Sequence, residues 1–129
     1  MDTGRLRNNY KYYENWDPPE NEITLRLKES PDFNIHIDEA YFDDIFGHPV
    51  LDGKGWHGFT RDYCERKGAW SFPSLEPVEI LDLHEYLYDM LQYSQKQFEI
   101  GETKEVFELI ADFLRYAITT GQTVTVETD

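Results

Sequence analysis

Cysteine is almost missing from this chain of 129 residues: Cys64 stands alone. A lone thiol excludes an internal disulfide framework, and with scattered histidines it cannot build a cysteine-based zinc site. A reducing compartment is therefore expected. Long apolar runs are missing too. No stretch approaches the roughly 18 apolar residues of a membrane span, and residues 1–7 lack the apolar core of a secretion signal. The expected location is the cytoplasm, with no membrane partner. Positive charge is scarce: 12 Lys and Arg face 26 Asp and Glu, for a formal net charge of −14. Phosphate recognition needs clustered Lys and Arg, so nucleic acid is not an expected partner. A phosphate-cradling loop and a dinucleotide fingerprint are also absent, because Gly53-Lys54-Gly55-Trp56 is not followed by the Ser or Thr that opens a phosphate-binding helix. No cofactor and no metal are expected.

What the chain does have is aromatic side chains: three Trp, nine Tyr and eight Phe, 16% of the residues. A disordered acidic protein lacks these. The length suits one domain, residues 1–129, with enough bulk to bury a core without staples. Charge is uneven along it. Residues 1–13 carry a net +2, residues 14–44 a net −8, residues 45–75 a net +1 and residues 76–129 a net −9. A nearly neutral, Gly- and aromatic-rich centre thus lies between two acidic stretches.

The first 21 residues read as an irregular arm, with Pro18-Pro19 forbidding a regular helix. It is either a frayed terminus or a segment that packs through Tyr10, Tyr12, Tyr13 and Trp16. Ile23, Leu25 and Leu27, then Phe33, Ile35 and Ile37, alternate with polar residues around a Ser30-Pro31-Asp32 turn. Period two predicts a β-hairpin. Asp38 or Glu39 opens a short helix that Gly47 stops. Phe59 to Tyr63 reads as a poorly periodic strand. A long helix is predicted over 82–99, with Leu83, Leu87, Met90, Leu91, Ser94 and Phe98 as its inner stripe and Asp82 with Glu85 as a capping box. A second helix follows Gly101, with Val106, Leu109, Ile110, Phe113, Leu114 and Ala117 inward, and ends at Gly121. Val124 and Val126 mark a strand returning to the hairpin. The expected fold is α+β: a small antiparallel or mixed sheet packed against two long antiparallel C-terminal helices.

Chemistry-bearing residues are few. His57, Asp62 and Cys64 lie close in sequence and allow a hydrolase-like reading with a Cys/His pair. An incidental buried thiol is the simpler account. His36, Asp38, His48 and His57 lack the tight spacing of metal-binding helices. Carboxylate pairs such as Asp38 with Glu39, Asp43 with Asp44 and Glu85 with Asp89 arise by chance among 26 acids. An acidic nucleic-acid mimic is a further alternative, with carboxylates spaced like phosphates on one elongated face. The surface itself is more informative. Glu85, Tyr88, Asp89 and Gln92 are placed on the outer face of the first long helix, and Asp43 and Asp44 on the exposed side of the short one. Carboxylates and tyrosines so placed suit the Lys and Arg of a basic protein.

Two runs carry a family resemblance. Residues 41–63, from Tyr41-Phe42-Asp43-Asp44-Ile45-Phe46-Gly47 to Gly58-Phe59-Thr60-Arg61-Asp62-Tyr63, resemble the central motif of CdiI-type immunity proteins of bacterial contact-dependent growth inhibition. Residues 82–93 and 102–110 look like the helical half of that family. The resemblance spans about residues 41–126 and leaves out the first 21. It implies a non-enzymatic antidote that binds the toxin domain delivered by a neighbouring cell, often a nuclease with a basic cleft. It identifies no contact residues. Asp43, Asp44, Glu85, Tyr88, Asp89 and Gln92 are the toxin-binding expectation on charge and helical phase alone, and the oligomeric state is left open.

Overall fold

The computed structural model describes residues 3–14, 21–47, 57–65 and 77–128, with residues 63–65 described by backbone alone. The expected hairpin is present as β2 (Glu22–Leu27) and β3 (Asn34–Asp38), paired antiparallel with Leu25 opposite Ile35. β5 (Val124–Thr128) returns to the outer side of β2, antiparallel, with Leu25 opposite Val126. Two-residue strands complete the sheet: β1 (Asn9–Tyr10), parallel to β3, and β4 (Val78–Glu79), antiparallel to β5. The strand order is β1-β3-β2-β5-β4, a mixed sheet in an α+β fold.

Residues 3–14 of the arm follow the second alternative, packing through their aromatics, and form short elements. A 3₁₀ turn at Gly4–Leu6 buries Leu6 completely, and α1 (Lys11–Glu14) buries Tyr12. Asn8 makes the bend between them at φ 43°, a conformation Asn tolerates because its amide bonds locally; here its Oδ1 accepts from Asn34 Nδ2 at 2.9 Å. The aromatics then do the packing. Tyr10 stacks on His36 at 3.8 Å between ring centres, and Tyr12 meets Tyr41 edge-on at 6.0 Å. Trp16 and the two prolines lie outside the described residues.

α2 (Glu39–Phe46) begins where the hairpin ends, because the Asp38 carboxylate accepts the Ala40 N–H at 2.9 Å. α5 (Thr103–Thr120) buries every member of its expected stripe and stops at Gly121, left-handed at φ 67°. Two expectations fail. Residues 58–65 form a helix, α3 (Gly58–Glu65), not a strand. The helix expected over 82–99 is only α4 (Leu83–Leu91). After Leu91 the chain tightens into turns, with Tyr93 N–H bonded to the Met90 carbonyl and Lys96 N–H to the Tyr93 carbonyl, so α5 is the one long helix among the described elements. The Asp82 carboxylate does cap α4 at the Glu85 N–H, but Glu85 turns to α3 instead of closing the box.

One buried cluster joins both sheet and helices: Ile23, Leu25, Ile35 and Ile37 with Phe42, Phe46, Phe59, Met90, Ile110 and Phe113. Phe33 at the hairpin stacks on Tyr116 of α5 at 4.8 Å. Among the described residues no helix is long and apolar enough to cross a membrane.

α3 reaches α4 at Gly58. There φ is +51°, and a Cβ would sit 2.9 Å from the Tyr86 Cα and 3.0 Å from the Asp89 Cβ. Gly58→Ala should therefore destabilise by about 2–4 kcal/mol, from left-handed strain plus overpacking. Gly121→Ala meets no atom within 4 Å and should lose only about 1 kcal/mol. Urea unfolding of the two variants checks the contrast.

Candidate interaction surface

The residues expected to face a partner divide into two groups. Asp44 belongs to the fold. Its carboxylate accepts from the Glu99 N–H and Ile100 N–H, both at 2.9 Å, and from the buried Thr103 hydroxyl at 2.6 Å. It serves as the anion at the start of α5, where Glu102 makes no side-chain cap. Burial pushes this carboxyl up, but the Thr103, Ile100 and Glu99 hydrogen bonds and the Lys96 charge prevail and hold it below its usual range. Lys96 answers from the other side: its Nζ donates to the Asp44 carbonyl at 2.7 Å and the Ile45 carbonyl at 3.0 Å, at the negative end of α2. Asp43 beside it is half-buried.

Asp89 is also part of the fold, and its expected exposure is wrong: it is 3% exposed. Oδ2 accepts the Thr60 N–H at 2.8 Å and Oδ1 the Thr60 hydroxyl at 2.7 Å. With that hydrogen spent, the Tyr93 hydroxyl donates to Thr60 Oγ1 at 2.7 Å. Burial outweighs the two Thr60 bonds and the nearby His57, and pushes Asp89 up to about 6. Glu85 is half-buried; it accepts the Gly58 N–H at 3.0 Å and pairs with Arg61. The inner face of α4 is thus Tyr86, Asp89 and Met90, continued by Tyr93, while Leu91, expected inside, is 42% exposed. Helical phase alone misses this because the polar partners of Asp89 lie on α3, where a strand was expected.

Tyr88 and Gln92 are exposed as expected, with Leu91 and His84 along the same side of α4. His57 meets Tyr88 edge-on at 5.5 Å. Glu102, just before α5, and Glu105 and Glu108 on it are exposed at spacings of three and form a ridge. Of these, Glu105 accepts from the Tyr12 hydroxyl at 3.2 Å. Between the end of α4 and α5 runs an open groove of about 820 Å³ whose lining includes Leu91, Lys96, Phe98, Lys104, Phe107 and Arg115. Its positive charge is partly spent, since Lys96 holds α2 and Arg115 pairs with Asp112 at 3.3 Å.

The remaining sequence candidates fall elsewhere. Asp62 accepts from the Tyr86 hydroxyl at 2.6 Å and so ties α4 to α3; the Cys64 side chain and His48 lie outside the described residues. His36 is buried in the sheet, not shared with Asp38 at a site. Its Nε2–H donates to Asn34 Oδ1 at 2.7 Å, and Nδ1 lies 3.1 Å from the Thr24 hydroxyl, which also reaches Glu22 at 3.3 Å. Burial lowers its basicity, against the pull of Glu22. Among the described residues no three His, Cys, Asp or Glu side chains gather as a metal site. No family model, curated protein or solved structure matches the chain.

Two measurements test this division. A carboxyl raised from 3.8 to about 6 favours folding only while protonated. Its contribution is complete below pH 3.8 and lost as pH rises through about 6. The stability advantage of the natural chain over Asp89→Asn should therefore shrink by about 2 kcal/mol between pH 4 and pH 7. Asp44→Ala should destabilise by about 2–4 kcal/mol, because it strands Thr103 and two amides. Tyr88→Ala should stay within about 1 kcal/mol, as for an exposed side chain. Thermal and urea unfolding report both.

Proposed function

We propose that the chain is a non-enzymatic immunity protein. It acts in the cytoplasm of a bacterium and binds the C-terminal toxin domain of a contact-dependent growth inhibition effector, covering a basic surface of that domain. The observation that carries this reading is the division among the carboxylates. Without Asp44, Glu85 and Asp89, which the fold consumes, the formal net charge falls only from −14 to −11, and Glu102, Glu105 and Glu108 are exposed at the start of α5 and along it. A fold does not need this surplus, which adds self-repulsion. A basic partner does, because complementary fields speed encounter and reject wrong partners. Tyr88, Leu91 and Gln92 supply the uncharged contact area that electrostatics alone lacks. The resemblance of residues 41–63, 82–93 and 102–110 to CdiI-type immunity proteins supports the same reading and narrows the partner to a delivered toxin.

This revises the expected contact set. Asp44, Glu85 and Asp89 leave it, Tyr88 and Gln92 stay, Asp43 stays at its edge, and Glu102, Glu105 and Glu108 join. The test is gel filtration with the toxin domain encoded beside this chain. Co-elution at micromolar concentration is the expected result, and separate elution rejects the reading. Replacing Glu102, Glu105 and Glu108 together by Lys should slow association at low salt by about tenfold or more and flatten its salt dependence. An unchanged on-rate, in a variant with unaltered circular dichroism, removes α5 from the interface.

A further inference from the structure

The open groove of about 820 Å³ has a stripe of α5 as one wall: Lys104, Glu108, Ala111 and Arg115, at spacings of four, three and four. Such spacing keeps side chains on one face of a helix. The other wall is the turn segment before α5, with Gln97 and Gly101 in the lining. Arg115 already pairs with Asp112, which also takes Arg5. Lys104 and Glu108 differ. Both are exposed, and neither makes a hydrogen bond or an ion pair among the described residues. They stand one turn apart, about 6 Å along the axis, but Lys ahead of Glu is the weaker order for pairing within a helix. An unpaired cation and an unpaired carboxylate thus sit together at the lip of the groove.

One occupant that satisfies both must bring the same two charges in reverse order. A uniformly basic surface would meet Lys104, and a uniformly acidic one would meet Glu108. A second α5 running antiparallel has the required order. A two-fold axis at the level of Val106 sets Lys104 against Glu108 of the second copy, and Glu108 against its Lys104. The same axis sets Gly101 against Ala111 and Gln97 against Arg115, and all six residues line the groove. The patch is therefore complementary to itself, as a two-fold contact requires. Gly101 and Ala111 leave room for the approach, since even a Cβ at Gly101 would meet no atom within 4 Å. Charge also rejects the neighbouring register. An axis between residues 109 and 110 would set Lys104 against Arg115 and leave Glu108 opposite Ala111.

We infer that this face is where the chain pairs with a second copy of itself, through two reciprocal Lys104–Glu108 contacts across a two-fold axis. Pairing occupies Glu108, which also belongs to the ridge offered to a basic partner, so a paired copy offers less of that ridge. The net charge of −14 on each copy opposes association, and exposed ion pairs contribute little each. The expected dimer is accordingly weak, with a dissociation constant of roughly 0.1 mM.

Sedimentation velocity at 0.15 M salt, over about 20 to 500 µM protein, tests the pairing; the screening length there is about 8 Å, which damps repulsion between whole copies more than contact between neighbouring charges. The natural chain should shift toward dimer as concentration rises. Lys104→Glu and Glu108→Lys should each weaken association by about tenfold or more, because each sets like charges together twice. The first takes the net charge from −14 to −16 and the second from −14 to −12, so a loss in both cannot come from net charge. Lys104→Glu combined with Glu108→Lys keeps −14 and restores the pairs with their signs exchanged. Its association should return to within about threefold of the natural chain. Circular dichroism checks that each variant is folded. A chain that stays monomeric throughout, a dimer untouched by both single reversals, or a double variant as weak as the single ones each overturns the assignment. No toxin enters this experiment, so its failure leaves the toxin-binding reading standing, and failed co-elution leaves the pairing standing.

Discussion

The fold turns on an exchange of caps between α2 and the chain that follows α4. Asp44 gives its carboxylate to the start of α5, and Lys96 gives its ammonium to the end of α2. Each charge meets a helix end of opposite polarity; Lys96 satisfies the last carbonyls of α2, and Asp44 satisfies the Glu99 and Ile100 amides of the turn that leads into α5. The bonds couple residues more than 50 positions apart in sequence. The turns after Leu91 are what bring Lys96 to the α2 carbonyls and Glu99 and Ile100 to Asp44. The entry of α5 is set from outside, so its own Glu102 has no capping to do.

Much of this was legible beforehand wherever a residue's role depends on neighbours in sequence. The hairpin followed from alternation in Ile23–Leu25–Leu27 and Ile35–Ile37, α2 from Asp38 and Gly47, and α5 from its apolar stripe and Gly121. What was not legible depended on distant partners. Asp89 reads as a surface carboxylate until Thr60 is known to face it, and Thr60 faces it only because residues 58–65 form a helix. That helix is hard to see in Gly58-Phe59-Thr60-Arg61-Asp62-Tyr63, where Gly opens a short segment and Phe59 and Tyr63 are the only two large apolar residues to set a period. Close approach to α4 at Gly58 then decides the matter through packing. The expected exposure held where it follows from helical phase alone, at Tyr88 and Gln92, and failed where a carboxylate had a tertiary task.

The division between working and surplus carboxylates bears on how an acidic protein is read. Many of its acids are consumed: Asp38 caps α2, Asp82 caps α4, Asp44 holds the turn into α5, Asp62 and Glu85 hold α3, and Glu29 holds the approach to β5. Counting charge therefore overstates the surface on offer, whereas asking which carboxylates have no internal duty isolates it. Tyr12 illustrates the border between the two. Burial, then Glu105, pushes its phenol up to about 12. A ridge residue thus also secures the N-terminal arm, so surface charge and the seating of that arm are linked.

The pairing of β2 with β5 joins positions roughly a hundred residues apart. Loop-closure entropy grows only slowly with such a span, but vectorial synthesis makes it matter. As the chain leaves the ribosome, β2 and β3 can form their hairpin early, while the other edge of β2 stays bare until β5 has emerged. Throughout that interval a run of Ile23, Leu25 and Leu27 offers unpaired amides to any passing strand. The nascent protein is therefore most vulnerable to misassociation before its last strand arrives, and a chaperone that shields one strand edge would serve it better than one that shelters its helices.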